Sequence, residues 1–209
     1  MIAERPTQTS RVGVRSRFGG TEGNEVLTAT TAAALTLLLL AEGVTILRLD
    51  GLRSLHMFLG LVLIPPILLK LGSTSYRMVK YYAGASPYRR KGPPALPMRL
   101  LAPVLVLATI GVFASGVWLL LLGHRSDTVL LLHKASFIVW GAMFGIHFLV
   151  YFQRMLRSVA EGWRASGRVR PAGAGARALL LAASLGGGLA LALALLGTIT
   201  SWHGGHQLG

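Results

Sequence analysis

Long apolar runs alternate along this chain with short polar segments that hold almost all of its charges. Five runs are long enough to cross a hydrocarbon layer of about 30 Å as α-helices. They extend over residues 26–47, 52–71, 100–122, 128–151 and 178–202. The pattern therefore predicts an all-α integral membrane protein, a helix bundle with five transmembrane helices.

The same pattern divides the chain into a four-run core and its flanking segments. The N-terminal tail contains glycines that we expect to break any helix, and a basic segment rich in Gly, Ala and Pro is expected to be a flexible loop. Within the second run, Pro65-Pro66 is expected to kink or locally open the helix. The segments are residues 1–25 (tail), 26–153 (four-helix transmembrane core), 154–177 (basic loop), 178–202 (fifth helix) and 203–209 (C-terminal tail).

Charge and composition support a membrane location and exclude several other classes. Only 13% of residues are charged, about half the share in a soluble domain. The net charge of +14 comes from basic residues in separate short loops, which argues against nucleic acid as a partner. The absence of cysteine excludes disulfides, iron–sulfur clusters and covalently attached haem.

The distribution of Lys and Arg predicts the orientation. Sixteen lie in the N-terminal tail and in the two loops on the same side, and four lie in the turns on the opposite side. Basic loops stay in the cytoplasm. We therefore expect a multi-pass protein of the plasma membrane, surrounded by the lipid bilayer, with its N-terminus in the cytoplasm and its C-terminus outside.

Two apolar runs carry ionisable residues at the same interval. His133 and His147 lie fourteen positions apart in the fourth run, and His56 and Lys70 repeat this interval in the second. Fourteen residues of α-helix advance about 21 Å and return nearly to the same face. Because both runs cross in the same direction, His56 is predicted level with His133 near the outside, and Lys70 level with His147 near the cytoplasm.

Paired histidines inside a membrane need a partner or a function, because burying them there is costly. Two neutral imidazoles that face each other can bind both axial positions of a haem iron, which then transfers electrons. Gly60 would let a porphyrin approach the backbone, and Arg48 and Arg53 lie at a depth that suits haem propionates. The alternative is a small non-haem membrane protein, a transporter component or assembly factor, with structural or proton-relaying histidines.

This arrangement resembles the four-helix, two-haem membrane cytochromes b, a group that includes hydrogenase and formate dehydrogenase cytochrome subunits and ferric-reductase-like proteins. The resemblance covers roughly residues 26–153 and rests on topology and histidine spacing. It implies haem b ligated by His56 and His133, with His147 as half of a second, inner site. It also implies an electron-transfer subunit rather than a stand-alone enzyme, with a quinone or a soluble redox subunit as partner.

Lys70 departs from the pattern of that group, because a protonated ammonium cannot bind iron, whereas a neutral lysine can bind it only after losing its proton. Either a second haem is held by His147 and another group, or the inner site is lost or altered and Lys70 extends to the membrane surface. We favour the second interpretation. Glu42 is predicted as an interfacial carboxylate, with a proton relay as the alternative. His203 and His206 are expected in a flexible polar tail.

Overall fold

The computed structural model describes residues 20–90, 92, 96–166 and 173–202, without the side chains of residues 162–166. This part of the chain contains helices and no strand, which confirms the predicted all-α fold. Most of the N-terminal tail and the predicted tail histidines, His203 and His206, lie outside the described residues. The helices are α1 (Gly20–Leu47), α2 (Leu49–Tyr82), α3 (Ser86–Arg89), α4 (Leu96–Leu122), α5 (Asp127–Ser166), α6 (Ala174–Ala194) and α7 (Leu196–Ser201).

Five helices, α1, α2, α4, α5 and α6, are long and apolar enough to cross a membrane. Their outer surfaces are apolar as well: Leu47 and Leu149, for example, are 83% and 78% exposed. A water-soluble protein rarely exposes apolar surface on this scale, whereas lipid covers it without cost. The chain is therefore a multi-pass membrane protein.

The first four spans form a bundle in which α2 and α5 lie opposite each other. Helix α1 packs against both α2 and α5, and α4 packs against the same two helices. The short α3 lies in the connection between α2 and α4. This order brings the two helices with the fourteen-residue interval face to face across the bundle.

Helix α6 packs on the outside of this bundle, along α2. Pro66 has no N–H, so the carbonyl of Val62, four residues earlier, loses its helical partner. The α6 backbone reaches this carbonyl at Gly188, where any Cβ would collide with the Val62 oxygen. Ala192, one turn further on, has no exposed surface. Small residues one turn apart allow membrane helices to approach this closely.

The proline pair does not locally open α2, which is one of the two outcomes that the sequence predicts. Backbone dihedral angles remain helical through Pro65-Pro66 and depart from helical values only at Leu52 (φ −118°, ψ 17°). Each proline removes one hydrogen bond, and neighbouring membrane helices commonly cover the freed groups. Here the contact between α6 and Val62 supplies such cover.

Several helices extend beyond the predicted apolar runs. Helix α1 begins at Gly20, so Gly23, an expected helix breaker, is buried within the helix. Helix α5 continues to Ser166, so the first half of the predicted basic loop is helical. The reason is that residues such as Gln, Arg, Leu and Met are good helix formers in water as well as in lipid. The fifth predicted helix is divided at Leu195 into α6 and α7.

Candidate functional site

A pair of histidines lies between the two opposed helices of the bundle. The ring centroids of His56 on α2 and His133 on α5 are 6.3 Å apart, and the ring planes stand at 82° to each other. The structure thus places both rings at one level, as the helix directions predict. We call His56 and His133 the histidine pair.

His56 is fixed from behind by helix α1. Its Nδ1 atom lies 2.9 Å from Oε1 of Glu42 and 3.1 Å from Oγ1 of Thr45. A carboxylate only accepts hydrogen bonds, so Nδ1 carries the proton of this contact, and the neutral tautomer with that proton has its lone pair on Nε2. Glu42 is 9% exposed and contacts His56 instead of solvent; its location at the membrane interface stays a prediction.

His133 is fixed in the same manner by helix α4. Its Nδ1 atom donates to the carbonyl of Val112 at 3.0 Å, and Oγ of Ser115 lies 3.1 Å away. Gly116 lies against the ring, and a Cβ at this position would lie 3.2 Å from Cε1 of His133. A carbonyl, a hydroxyl and a glycine of one helix thus set the orientation of the imidazole.

The nitrogen that remains on each ring is Nε2. Among the described residues, neither Nε2 atom has a hydrogen-bond partner. Metal-bound histidines are typically held in this way, with one ring N–H donated to a carboxylate or carbonyl and the other nitrogen on the metal. A metal bound about 2 Å from both Nε2 atoms would require ring centroids roughly 6 Å apart, and the two centroids are 6.3 Å apart.

The donor set fits a haem better than a bare metal ion. A structural zinc site takes four protein ligands, whereas a haem iron needs only two because the macrocycle fills the other positions. In the part of the chain that the structure describes, no group of three or more His, Cys, Asp or Glu residues is placed to hold a metal. Two opposed histidines therefore match the haem requirement.

The other residues that are predicted to bind this haem lie near the histidine pair or between it and the adjacent end of the bundle. A Cβ on Gly60 would lie 3.7 Å from Oε1 of Glu42, so this glycine faces the carboxylate behind His56. The guanidinium of Arg53 lies 5.3 Å from the ring centre of Trp202, and Arg48 is exposed just before α2. Contacts of these residues with a porphyrin or its propionates stay predictions.

A cavity of about 300 Å³, which we call the Lys70 cavity, lies further along the bundle between α1, α2, α4 and α5. Lys70 and His147 both line it, in agreement with their predicted shared level. The Nζ atom of Lys70 donates to the carbonyl of Thr28 at 3.0 Å. The side chain therefore turns into the bundle, toward α1. The sequence interpretation that we favour, in which Lys70 extends to the membrane surface, differs from this. The ring of His147 packs against that of Tyr151.

Aromatic rings of α5 form one wall of the Lys70 cavity. The centroids of Trp140 and Phe144 are 4.7 Å apart with nearly parallel planes, and those of Phe144 and Phe148 are 5.7 Å apart. All three residues line the cavity, and most of its surface is apolar. The wall is suited to an apolar occupant.

Charged residues of three helices meet at one end of this cavity. Glu25 of α1 lies 3.7 Å from Arg77 of α2 and 3.3 Å from Arg154 of α5. All three line the cavity. The single carboxylate thus joins two cations and connects the three helices at this end of the bundle.

The sequence predictions do not include the hydrogen-bond partners that α1 and α4 supply to the two histidines, although the sequence contains a signal for them. In an antiparallel helical hairpin, positions at equal distances from the turn lie side by side. Glu42 and His56 are each seven residues from position 49, and Ser115 and His133 are each nine from position 124. Pairing the helices around their turns would have matched each histidine with its partner.

No family model, curated protein or solved structure matches this chain. The fold and the site define a multi-pass helical membrane protein with two histidines opposed inside its bundle. Its function is therefore inferred from these residues and their geometry.

Proposed function

We propose that the chain is a membrane-bound b-type cytochrome subunit that carries electrons through a haem b held by His56 and His133. One observation carries this proposal: the two rings are 6.3 Å apart, and each is fixed through Nδ1 with Nε2 available. The ligands come from opposite helices, so a porphyrin between them would lie within the bundle and away from water.

The bound haem would supply a one-electron couple between ferric and ferrous iron. His56 and His133 would be the two protein ligands of its iron, which would leave no site for oxygen or a substrate and would favour electron transfer over catalysis. Glu42 accepts the N–H of His56, which makes Nε2 more basic and favours the ferric state. The Val112 carbonyl has the same effect on His133, but more weakly because it is uncharged.

The wider role of the subunit follows from the charge distribution and the position of the pair. We infer that the protein resides in the plasma membrane with its N-terminus in the cytoplasm, so that the histidine pair lies near the outer surface. The partners would be a quinone in the membrane or a soluble redox subunit. A second haem is not part of the proposal, because His147 is the one histidine among the described residues that line the Lys70 cavity.

Haem content tests this proposal directly. The protein, purified after expression with ample haem, is expected to show a reduced-minus-oxidised b-type spectrum and one haem per chain. His56→Ala and His133→Ala should each abolish it. The control is His124→Ala, which removes an exposed histidine in the turn before α5 and should retain the haem. The perpendicular ring planes predict a strongly anisotropic low-spin ferric signal in electron paramagnetic resonance.

Wild-type protein without haem would refute the proposal, as would haem that survives both histidine substitutions. The alternative is then a non-haem membrane protein in which Glu42 and His56 relay protons. The direct contact between the buried carboxylate of Glu42 and Nδ1 of His56, at 2.9 Å, is the observation that this alternative rests on.

A further inference from the structure

The Lys70 cavity has its charges at one end and apolar walls along the rest of its length. The residues of α1 that line it extend over positions 25–39, which corresponds to about 21 Å of helix. Lys70 and Arg77 lie toward the charged end, whereas Leu39 and Trp140 line the opposite part. An occupant of matching shape is elongated, apolar along its body and polar at one end.

The positive charge of Lys70 is not balanced by a carboxylate in the described part of the chain. Glu25 is the one acidic residue there that lines the cavity, and it already contacts Arg77 and Arg154. The Nζ atom of Lys70 donates to the carbonyl of Thr28, but an ammonium has three donors. A cation enclosed by apolar helices is costly unless an anion accompanies it.

We propose that the Lys70 cavity binds an elongated apolar molecule that ends in an anionic group, with the anion on Nζ of Lys70. The apolar body would extend along the aromatic wall of α5 toward Trp140. A carboxylate of a free fatty acid and the phosphate of an anionic lipid share this chemistry. The inference does not depend on haem at the histidine pair, because neither His56 nor His133 lines the Lys70 cavity.

Fluorescence quenching provides the test, because Trp140 lines the cavity. The full chain in phosphatidylcholine nanodiscs is titrated with dibromostearate, whose bromine atoms quench tryptophan on contact. Saturable quenching is expected, and Trp140→Phe should remove that component. Lys70→Met should raise the dissociation constant about tenfold to a hundredfold, the usual loss for a charge-assisted hydrogen bond, while Lys70→Arg should retain most of the affinity.

Lys134→Met is the matched control, because it removes one exposed lysine near the start of α5. It should leave the titration unchanged. The methyl ester of dibromostearate has the same body without the charge and should bind at least tenfold more weakly than the acid. Equal binding of ester and acid, or an unchanged dissociation constant in Lys70→Met, would overturn the proposal.

Brominated lipids separate the two sources of the anion. Tighter binding of the free acid than of brominated phosphatidylglycerol would assign a fatty acid, and the reverse order would assign a lipid headgroup; both support an anion on Lys70. A haem assay tests the third candidate occupant of the cavity, which is a second haem. A second haem that disappears in His147→Ala would assign the cavity to haem and refute the inference, whereas loss of the haem at the histidine pair bears only on the proposed function.

Discussion

The two residues of the histidine pair share one level but have chemically different partners behind them. His56 has the carboxylate of Glu42 at 2.9 Å, and His133 has the carbonyl of Val112 at 3.0 Å. A carboxylate withdraws the Nδ1 proton more strongly than a neutral carbonyl does. If the pair holds the proposed haem, His56 should therefore be the more basic of its two ligands, and Glu42 should be the main control of its redox potential.

Glu42→Gln tests this expectation, since it keeps the shape of the side chain and removes its charge. The midpoint potential of the haem should rise because the ferric state loses a nearby anion. Affinity for haem should fall about 10- to 100-fold, the usual effect of removing such a partner. A redox titration and the haem content after dilution measure the two effects.

The control for this substitution is Asp127→Asn, which neutralises an exposed carboxylate at the start of α5. It should change neither the potential nor the haem content, because water screens an exposed charge. If Glu42→Gln has the potential of the wild type, the carboxylate does not act on the iron through His56.

Distance from the turn of a helical hairpin predicts several contacts between helices that a search for isolated motifs does not. Thr28 and Lys70 are each 21 residues from position 49, and they too are in contact. Hairpin geometry therefore indicates which residues can meet. It does not indicate which ring nitrogen faces which partner, because that depends on side-chain rotamers and on the rotation of each helix. For this reason the sequence predicts the histidine pair but not the role of Glu42.

The membrane spans of individual helices are easier to predict than their ends. Apolar runs predict the five crossings, because hydropathy changes where lipid ends. Helix α5 nevertheless continues past Tyr151 to Ser166, and Arg154 in this extension contacts Glu25. A change to polar sequence marks the membrane surface, and the helix ends where capping and packing end it.

The packing of α6 on α2 gives a prediction about a single methyl group. Gly188→Ala places a Cβ against the backbone carbonyl of Val62, which cannot move without disturbing α2. We expect a loss of about 1–3 kcal/mol in stability, the usual cost of overpacking. Thermal unfolding in detergent, followed by circular dichroism, should show a lower midpoint.

The adjacent Gly187 supplies the control, because a Cβ there has no atom within 4 Å. Gly187→Ala should keep the midpoint or raise it slightly, since alanine favours a helix by about 1 kcal/mol over glycine. Equal midpoints for the variants at Gly187 and Gly188 would mean that α6 does not pack on α2 at this point.

At the scale of the whole molecule, the two candidate sites lie at different depths of one bundle. The histidine pair and the Lys70 cavity are separated by the fourteen-residue interval that α2 and α5 share. The basic loops lie at the end nearer to Lys70 and the short turns at the end nearer to His56. Orientation in the membrane therefore decides which site faces the cytoplasm.

Single cysteines determine this orientation, because the natural chain contains none and each new thiol is unique. His124→Cys, in the turn before α5, should react with a membrane-impermeant maleimide on intact cells. Ser86→Cys, in the basic connection after α2, should react only after permeabilisation, since sixteen of the loop cations are predicted inside. Thr31 is 0% exposed. The thiol of Thr31→Cys should therefore react in neither case, and any labelling of it would report unfolded protein. The opposite pattern at positions 124 and 86 would place the histidine pair near the cytoplasm, and the proposed function would then need its electron partner on that side.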